Sequence, residues 1–163
     1  PMTFESLPGS YAKDSKAVYF RGEIVQGADA RTFSVIDDCY DSPILAKDIR
    51  AVYRNGLVLQ DIDPVSFKVF NIDYALDKSN IYFKGEGGFA VVPGADPTTF
   101  TALGASYAKD KNSAYYMATR ISEADDATFT IGERHYGGTQ SGDYDAKDKN
   151  HFYRYGKVLV SSN

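Results

Sequence analysis

Short alternating stretches, each followed by turn residues and then an apolar strand, recur along the whole chain. Tyr11-Ala12-Lys13-Asp14 leads through Ser15-Lys16 to Ala17-Val18-Tyr19-Phe20, and Tyr107-Ala108-Lys109-Asp110 leads through Lys111-Asn112 to Ala114-Tyr115-Tyr116. Alternation of apolar and polar side chains predicts half-buried strands, and Asp-Lys-Asn or Asp-Lys-Ser between them predicts a turn that bonds its own backbone. The Ala-x-Asp element occurs five times, ending at Asp14, Asp48, Asp77, Asp110 and Asp148, and each is followed by a tyrosine: Tyr19, Tyr53, Tyr82, Tyr115 and Tyr153. A period near 30 residues therefore governs the chain and sets architecture before chemistry.

A second pattern keeps the same period. Phe4 and Tyr11, Phe33 and Tyr40, Phe67 and Tyr74, Phe100 and Tyr107, and Phe129 and Tyr136 are each seven residues apart. A hydroxyl residue precedes every Phe (Thr3, Thr32, Ser66, Thr99, Thr128), and Asp29, Asp63, Asp96 and Asp125 stand four before the last four. Asp is a favoured helix N-cap, and Pro64 or Pro97 follows it in two copies, so this element predicts one α or 3₁₀ turn whose Phe plugs the core. Arg54-Asn55-Gly56 and Tyr155-Gly156 fit tight hairpin turns with positive φ, and Ala118 is the exception to the turn glycine.

The expected fold is all-β: five tandem β-meander or hairpin repeats, each with one short helical turn, stacked in a curved array. A small closed, propeller-like ring is the alternative. The units span roughly 3–25, 29–59, 63–92, 96–121 and 125–160 of one repeat domain covering 1–163. One unit has too little apolar surface to stand alone, and stacking buries the recurrent Phe33, Phe67, Phe100 and Phe129 in a continuous core. Of the 23 aromatic residues, 15 occupy the recurrent positions, so the aromatic richness is mostly structural.

The Asp110-Lys111-Asn112 and Tyr115-Tyr116 signature, with Asp148-Lys149-Asn150 and Tyr153, resembles the bacterial DKNYY repeat family. Asp14-Ser15-Lys16 and Asp48-Ile49-Arg50 depart from it. The resemblance implies a β-rich bacterial repeat protein and carries no catalytic motif, so function has to be argued from the site.

Composition narrows the classes. The net charge of −4 arises from 22 acidic and 18 basic residues with the signs interspersed, which leaves no basic patch for nucleic acid. No apolar run reaches the roughly 20 residues that cross a bilayer. Cys39 is the single cysteine, so no internal disulfide forms. Pro1-Met2 reads as the scar of a removed tag, so the periplasm or cell surface is expected if an export signal went with it and the cytoplasm otherwise.

The catalytic candidates fail against their own siblings. Cys39 and His135 precede the recurrent tyrosine, where other copies carry Ser10, Asp73 and Ser106. His151 stands in a turn where others carry Ala17, Ala51, Asn80 and Ser113. No nucleophile elbow, zinc helix or phosphate loop is present, so neither an enzyme nor a cofactor is expected. Asp143, Asp145, Asp148 and Asn150 form an oxygen-rich stretch of the kind Ca²⁺ accepts, but without EF-hand spacing, and the expectation is an acidic loop with no metal. The repeat aspartates are expected to be structural.

Functional information is expected where the period fails. Five residues, Asp41 to Leu45, and nine, Gly137 to Asp145, are inserted at the same joint of copies two and five. Four more, Glu86-Gly87-Gly88-Phe89, lengthen the hairpin tip of copy three into an expected flexible loop. Ile44, Leu45, Glu86, Phe89, Asp143, Tyr144 and Asp145 are the candidate partner contacts. The leading expectation is a non-enzymatic bacterial protein-binding repeat protein, in its narrowest form an immunity or inhibitor protein that neutralises a secreted toxin. The alternatives are a periplasmic or cell-surface module for glycan or another small ligand, and a scaffold fragment of a longer array. The oligomeric state is left open.

Overall fold

The structure, a computed structural model, describes residues 4–36, 44–85, 88–132 and 144–159. Among these, 20 short strands form five antiparallel sheets, each of four strands consecutive in sequence, and none closes on itself. Copy one supplies β1 (Glu5–Ser6), β2 (Tyr11–Lys13), β3 (Val18–Phe20) and β4 (Glu23–Ile24). Copy two supplies β5 (Ser34–Ile36), β6 (Leu45–Lys47), β7 (Val52–Arg54) and β8 (Leu57–Leu59). The third sheet is β9 (Lys68–Val69), β10 (Tyr74–Leu76), β11 (Ile81–Gly85) and β12 (Gly88–Val91). Copy four gives β13 (Thr101–Gly104), β14 (Tyr107–Lys109), β15 (Ala114–Tyr116) and β16 (Thr119–Ile121). Copy five gives β17 (Thr130–Ile131), β18 (Ala146–Lys147), β19 (Phe152–Arg154) and β20 (Lys157–Val158).

The chain divides into two compact units, Pro1–Ile72 and Asp73–Asn163. In the first, Tyr11 and Val18 of copy one meet Val25, Ala30, Phe33, Ala46 and Tyr53 in one core. In the second, Tyr74 and Ile81 of copy three meet Val92, Phe100, Ala108 and Tyr115, and Tyr107 and Ala114 of copy four meet Ile121, Phe129, Ala146 and Tyr153. Each core is thus a joint between successive copies, which is why one copy cannot stand alone. The joints share an aromatic ladder in which a phenylalanine sits between the preceding copy's tyrosine and its own. Ring centroids are 5.2 Å apart for Tyr11–Phe33 and 5.5 Å for Phe33–Tyr53, then 5.9 Å for Tyr107–Phe129 and 5.3 Å for Phe129–Tyr153. Tilted and edge-on pairs at such spacing add about 0.5–1.5 kcal/mol each beyond the area they bury.

The hairpin turns follow the sequence expectation. Arg21-Gly22, Asn55-Gly56 and Tyr155-Gly156 all have positive φ at both central residues, 51° and 88°, 50° and 79°, and 50° and 74°. That pair of angles matches the right-handed twist of the flanking strands. In the corresponding turn of copy four, Met117-Ala118, only Met117 has a positive φ (54°).

Three details differ from the sequence reading. The Asp-x-x-Thr/Ser-Phe element is a lone hydrogen-bonded turn rather than a helix: Phe33 N–H donates to Asp29 O (2.9 Å) and Phe67 N–H to Asp63 O (3.0 Å), and β structure resumes at once. One turn has no following turn to repay its nucleation. The strand position of Tyr11, Tyr74 and Tyr107 belongs in copy two to Leu45, which pairs with Arg54 as Tyr11 pairs with Phe20. In copy five Asp145 takes it, and its N–H donates to Tyr153 O (2.8 Å). Strand register is set by distance to the turn aspartate, not to the preceding phenylalanine. The extra residues of copy three, finally, lengthen a hairpin: Lys84 pairs with Phe89 and Gly85 with Gly88.

Candidate functional site

Each of the five recurrent aspartates accepts at least three hydrogen bonds. Asp48 accepts Arg50 N–H (2.6 Å) and Ala51 N–H (2.9 Å) on Oδ1, and Tyr53 O–H (2.8 Å) and Asp29 N–H (2.6 Å) on Oδ2. Asp148 repeats the set with Asn150, His151, Tyr153 and Asp125, all at 2.7 Å. Asp110 takes Asn112 N–H, Tyr115 O–H and Asp96 N–H at 2.8, 2.9 and 2.8 Å. Asp77 holds Ser79, Asn80 and Tyr82, and Asp14 holds Lys16, Ala17 and Tyr19. In copies two, four and five one carboxylate therefore ties the turn, the core tyrosine and the start of the capping turn together.

The rest of the signature completes this knot. Lys111 pairs with the cap Asp96 (2.8 Å) and Lys149 with Asp125 (2.6 Å). In three copies the hydroxyl before the phenylalanine receives the N–H of the residue after the node: Ile49 N–H to Thr32 Oγ1 (3.3 Å), Lys111 N–H to Thr99 Oγ1 (3.3 Å) and Lys149 N–H to Thr128 Oγ1 (3.1 Å). The lysine before the node reaches into the next copy. Lys13 Nζ donates to Phe33 O (3.2 Å), Lys47 Nζ to Pro64 O and Phe67 O (3.2 and 3.1 Å), and Lys109 Nζ to Asp126 O and Phe129 O (3.1 and 3.2 Å). A cation at the end of the capping turn satisfies carbonyls that the turn leaves open. Sequence reasoning missed this lysine role, although the recurrence of Lys13, Lys47 and Lys109 with Leu76 as exception carries the signal.

Electrostatics agrees with a structural assignment. Burial pushes the Asp148 carboxyl up, but the N–H groups of Asp125, Asn150 and His151 and the Tyr153 hydroxyl outweigh it and hold it down at about 2. Asp48 is lowered by the same balance, and Asp14 is lowered by the Lys16 and Ala17 N–H groups and the Tyr19 hydroxyl. Lys111 beside Asp96 and Lys149 beside Asp125 hold those carboxyls below their ordinary range. Burial, then the bond to Asp110, pushes Tyr115 up to about 12. These bonds favour the charged form of Asp14, Asp48 and Asp148 and the protonated, donating form of Tyr19, Tyr53, Tyr115 and Tyr153.

The insert residues divide. Leu45 is fully buried, and so is withdrawn from any surface. Ile44 is half-buried against Gly9, packed on the first core. Phe89 is half-buried with its ring 6.3 Å from Tyr82, edge-on. Tyr144 lies on Phe152 with centroids 4.6 Å apart, and Asp145 Oδ2 accepts Tyr155 N–H (2.9 Å). Glu86 and Asp143 lie outside the described residues, as do Cys39 and His135. His151 Nδ1 is 3.3 Å from the Tyr153 hydroxyl, inside the Asp148 knot. Among the described residues no three His, Cys, Asp or Glu side chains gather where they could hold a metal ion, and no helix is long and apolar enough to cross a membrane.

Among the described residues, exposed apolar surface offers a further candidate for recognition. In the first unit a groove of about 330 Å³ runs between the closing strand of copy one and the hairpin tip of copy two, lined by Phe20, Glu23, Ile24, Asn55, Leu57 and Val58. Leu57 is 74% exposed, Ile24 56% and Val58 41%. Strand pairing makes Thr119-Arg120 and Lys157-Val158 the equivalents of Leu57-Val58 in copies four and five. Leu57, where the other copies carry Glu23, Ala90, Thr119 and Lys157, is therefore the departure from the repeat, whereas the Val58 position is apolar in Ile24, Val91 and Val158 as well. Sequence reasoning sought departures in inserts and passed over this substitution.

The model of the DKNYY family matches residues 2–54 and 77–163. Neither a curated protein nor a solved structure matches the chain.

Proposed function

The chain belongs to the DKNYY family, and we propose that it is a non-enzymatic protein-binding repeat module that holds its partner along the hairpin tips of its first two copies. The supporting observation is the groove lined by Ile24, Leu57 and Val58, all exposed, with Leu57 standing where Glu23, Thr119 and Lys157 stand in other copies. Burying one such side chain against a partner contributes about 1.5–3 kcal/mol, enough for a small central anchor set. The non-enzymatic reading is supported by the use of His151, the described histidine, as a turn residue whose N–H serves Asp148.

The narrower proposal, an immunity protein that neutralises a secreted toxin, adds only the net charge of −4, which suits a basic partner. Wild type, Ile24→Asp with Leu57→Asp, and Thr119→Asp serve as baits in extract of the native host. The expected result is one stoichiometric partner held by wild type and Thr119→Asp and lost by the double variant. Equal recovery by all three overturns the reading, as does a turnover abolished by His151→Ala.

A further inference from the structure

Each interior joint shows what covers the outward face of a copy. The residue that pairs with the linking lysine position is Val18, Ile81 or Ala114, and all three are at most 1% exposed beneath the next copy's phenylalanine turn. In copy five that position is Phe152, paired with Lys147, and it is 51% exposed. Lys147 is the fifth-copy counterpart of Lys13, Lys47 and Lys109, yet it lies over the Tyr144 ring, 5.9 Å from its centroid. The same Tyr144 ring stacks on Phe152 at 4.6 Å and 51°. Its other neighbour is Gly132, where an added Cβ would fall 2.6 Å from the ring. Tyr144 thus occupies the ground that a following copy's turn covers elsewhere, and it draws in the lysine that would clip that turn.

The molecule also carries the complementary face. Phe4 is 66% exposed, with its ring 5.9 Å from Tyr19, the relation that Phe33 has to Tyr53 and Phe129 to Tyr153. In the joints those phenylalanines enter under the preceding copy's tyrosine. We propose that Tyr144 is a latch that seals the outward face of copy five against head-to-tail docking by the first-copy face of a second molecule of this chain.

Sedimentation velocity over a concentration series tests this on wild type, Tyr144→Phe, Tyr144→Ala and Tyr144→Ala with Phe4→Glu. An aromatic contact of this kind corresponds to about a tenfold change in association. Tyr144→Ala is expected to self-associate at a concentration at least about tenfold below wild type, Tyr144→Phe to match wild type, and Phe4→Glu to reverse the gain. Should circular dichroism show that Tyr144→Ala does not fold, Tyr144→Leu, which keeps apolar bulk but removes the ring from Phe152 and Lys147, is read by the same criteria. A latch-opened variant that sediments like wild type, or association that survives Phe4→Glu, overturns the proposal.

Discussion

The joint between copies three and four and the joint between copies four and five bury the same aromatic ladder but fasten it differently. In the second, Lys109 clips two carbonyls of the next turn, Tyr107 Oη accepts Gly156 N–H (2.8 Å), and Tyr116 packs on the side-chain-free face of Gly156. The joint between copies one and two follows suit, with Lys13, with Tyr11 accepting Gly56 N–H (2.7 Å), and with Phe20 on Gly56. In the joint between copies three and four, Leu76 stands where the lysine would be and packs into the core, and Ala118 replaces the glycine. Tyr74 there reverses its role and donates to Ser106 O (2.7 Å) and Met117 O (3.1 Å). A hydroxyl can donate or accept, so the tyrosine serves either turn geometry. The ladder is common to both joints, and the polar clip is exchangeable.

The largest expected effect tests the common part. Phe129→Ala and Phe100→Ala each remove a buried rung and should each cost about 3–5 kcal/mol by urea unfolding; a cost at one joint under half that at the other breaks the equivalence. Next comes the turn glycine. Gly156→Ala places a Cβ 2.6 Å from Tyr116 Cβ at a φ of 74°, and should cost at least about 1–2 kcal/mol. Ala118→Gly, at the sibling position, should cost no more than about 1 kcal/mol. Equal costs would mean that the two turns are not alternative solutions. Lys109→Leu, which gives the second joint the residue of the first, leaves two carbonyls without their cation and should cost about 1–2 kcal/mol.

Much of the scaffold was legible because its key contacts are local. The node aspartate, its turn and its tyrosine lie within five residues of one another, as Asp48 and Tyr53 do, so a fixed spacing encodes them. The Lys13 to Phe33 clip spans 20 residues and the Tyr11 to Gly56 bond 45, and such separations become visible only when copies are stacked. The register of copies two and five was misread for a related reason. Tyr40 keeps the aromatic spacing, while Leu45 keeps the distance to Asp48 that backbone pairing obeys. The apolar groove was missed because Val58 reads like any closing strand, and because Leu57 is a single substitution at a position held by Glu23, Thr119 and Lys157 in other copies rather than an insert.

The smallest effect concerns the nodes that both joints share. Asp14, Asp48 and Asp148 sit below the ordinary 3.8 of an unfolded aspartate, Asp148 at about 2. A depressed folded-state value means that the contribution is whole above about pH 4 and is lost as the pH falls through the folded value toward about 2. The Asp148 carboxylate lies inside the knot but beside the exposed Lys149 and Asn150, so solvent screening should hold its share to about 1 kcal/mol. Urea midpoints of wild type and Asp148→Asn, measured from pH 5 to pH 2 (the range set by about one unit either side of the shift), should therefore converge as the pH drops. Parallel curves would show that Asp148 holds its turn by shape and hydrogen bonding alone, leaving the ionised carboxylate no part in the knot that every copy repeats.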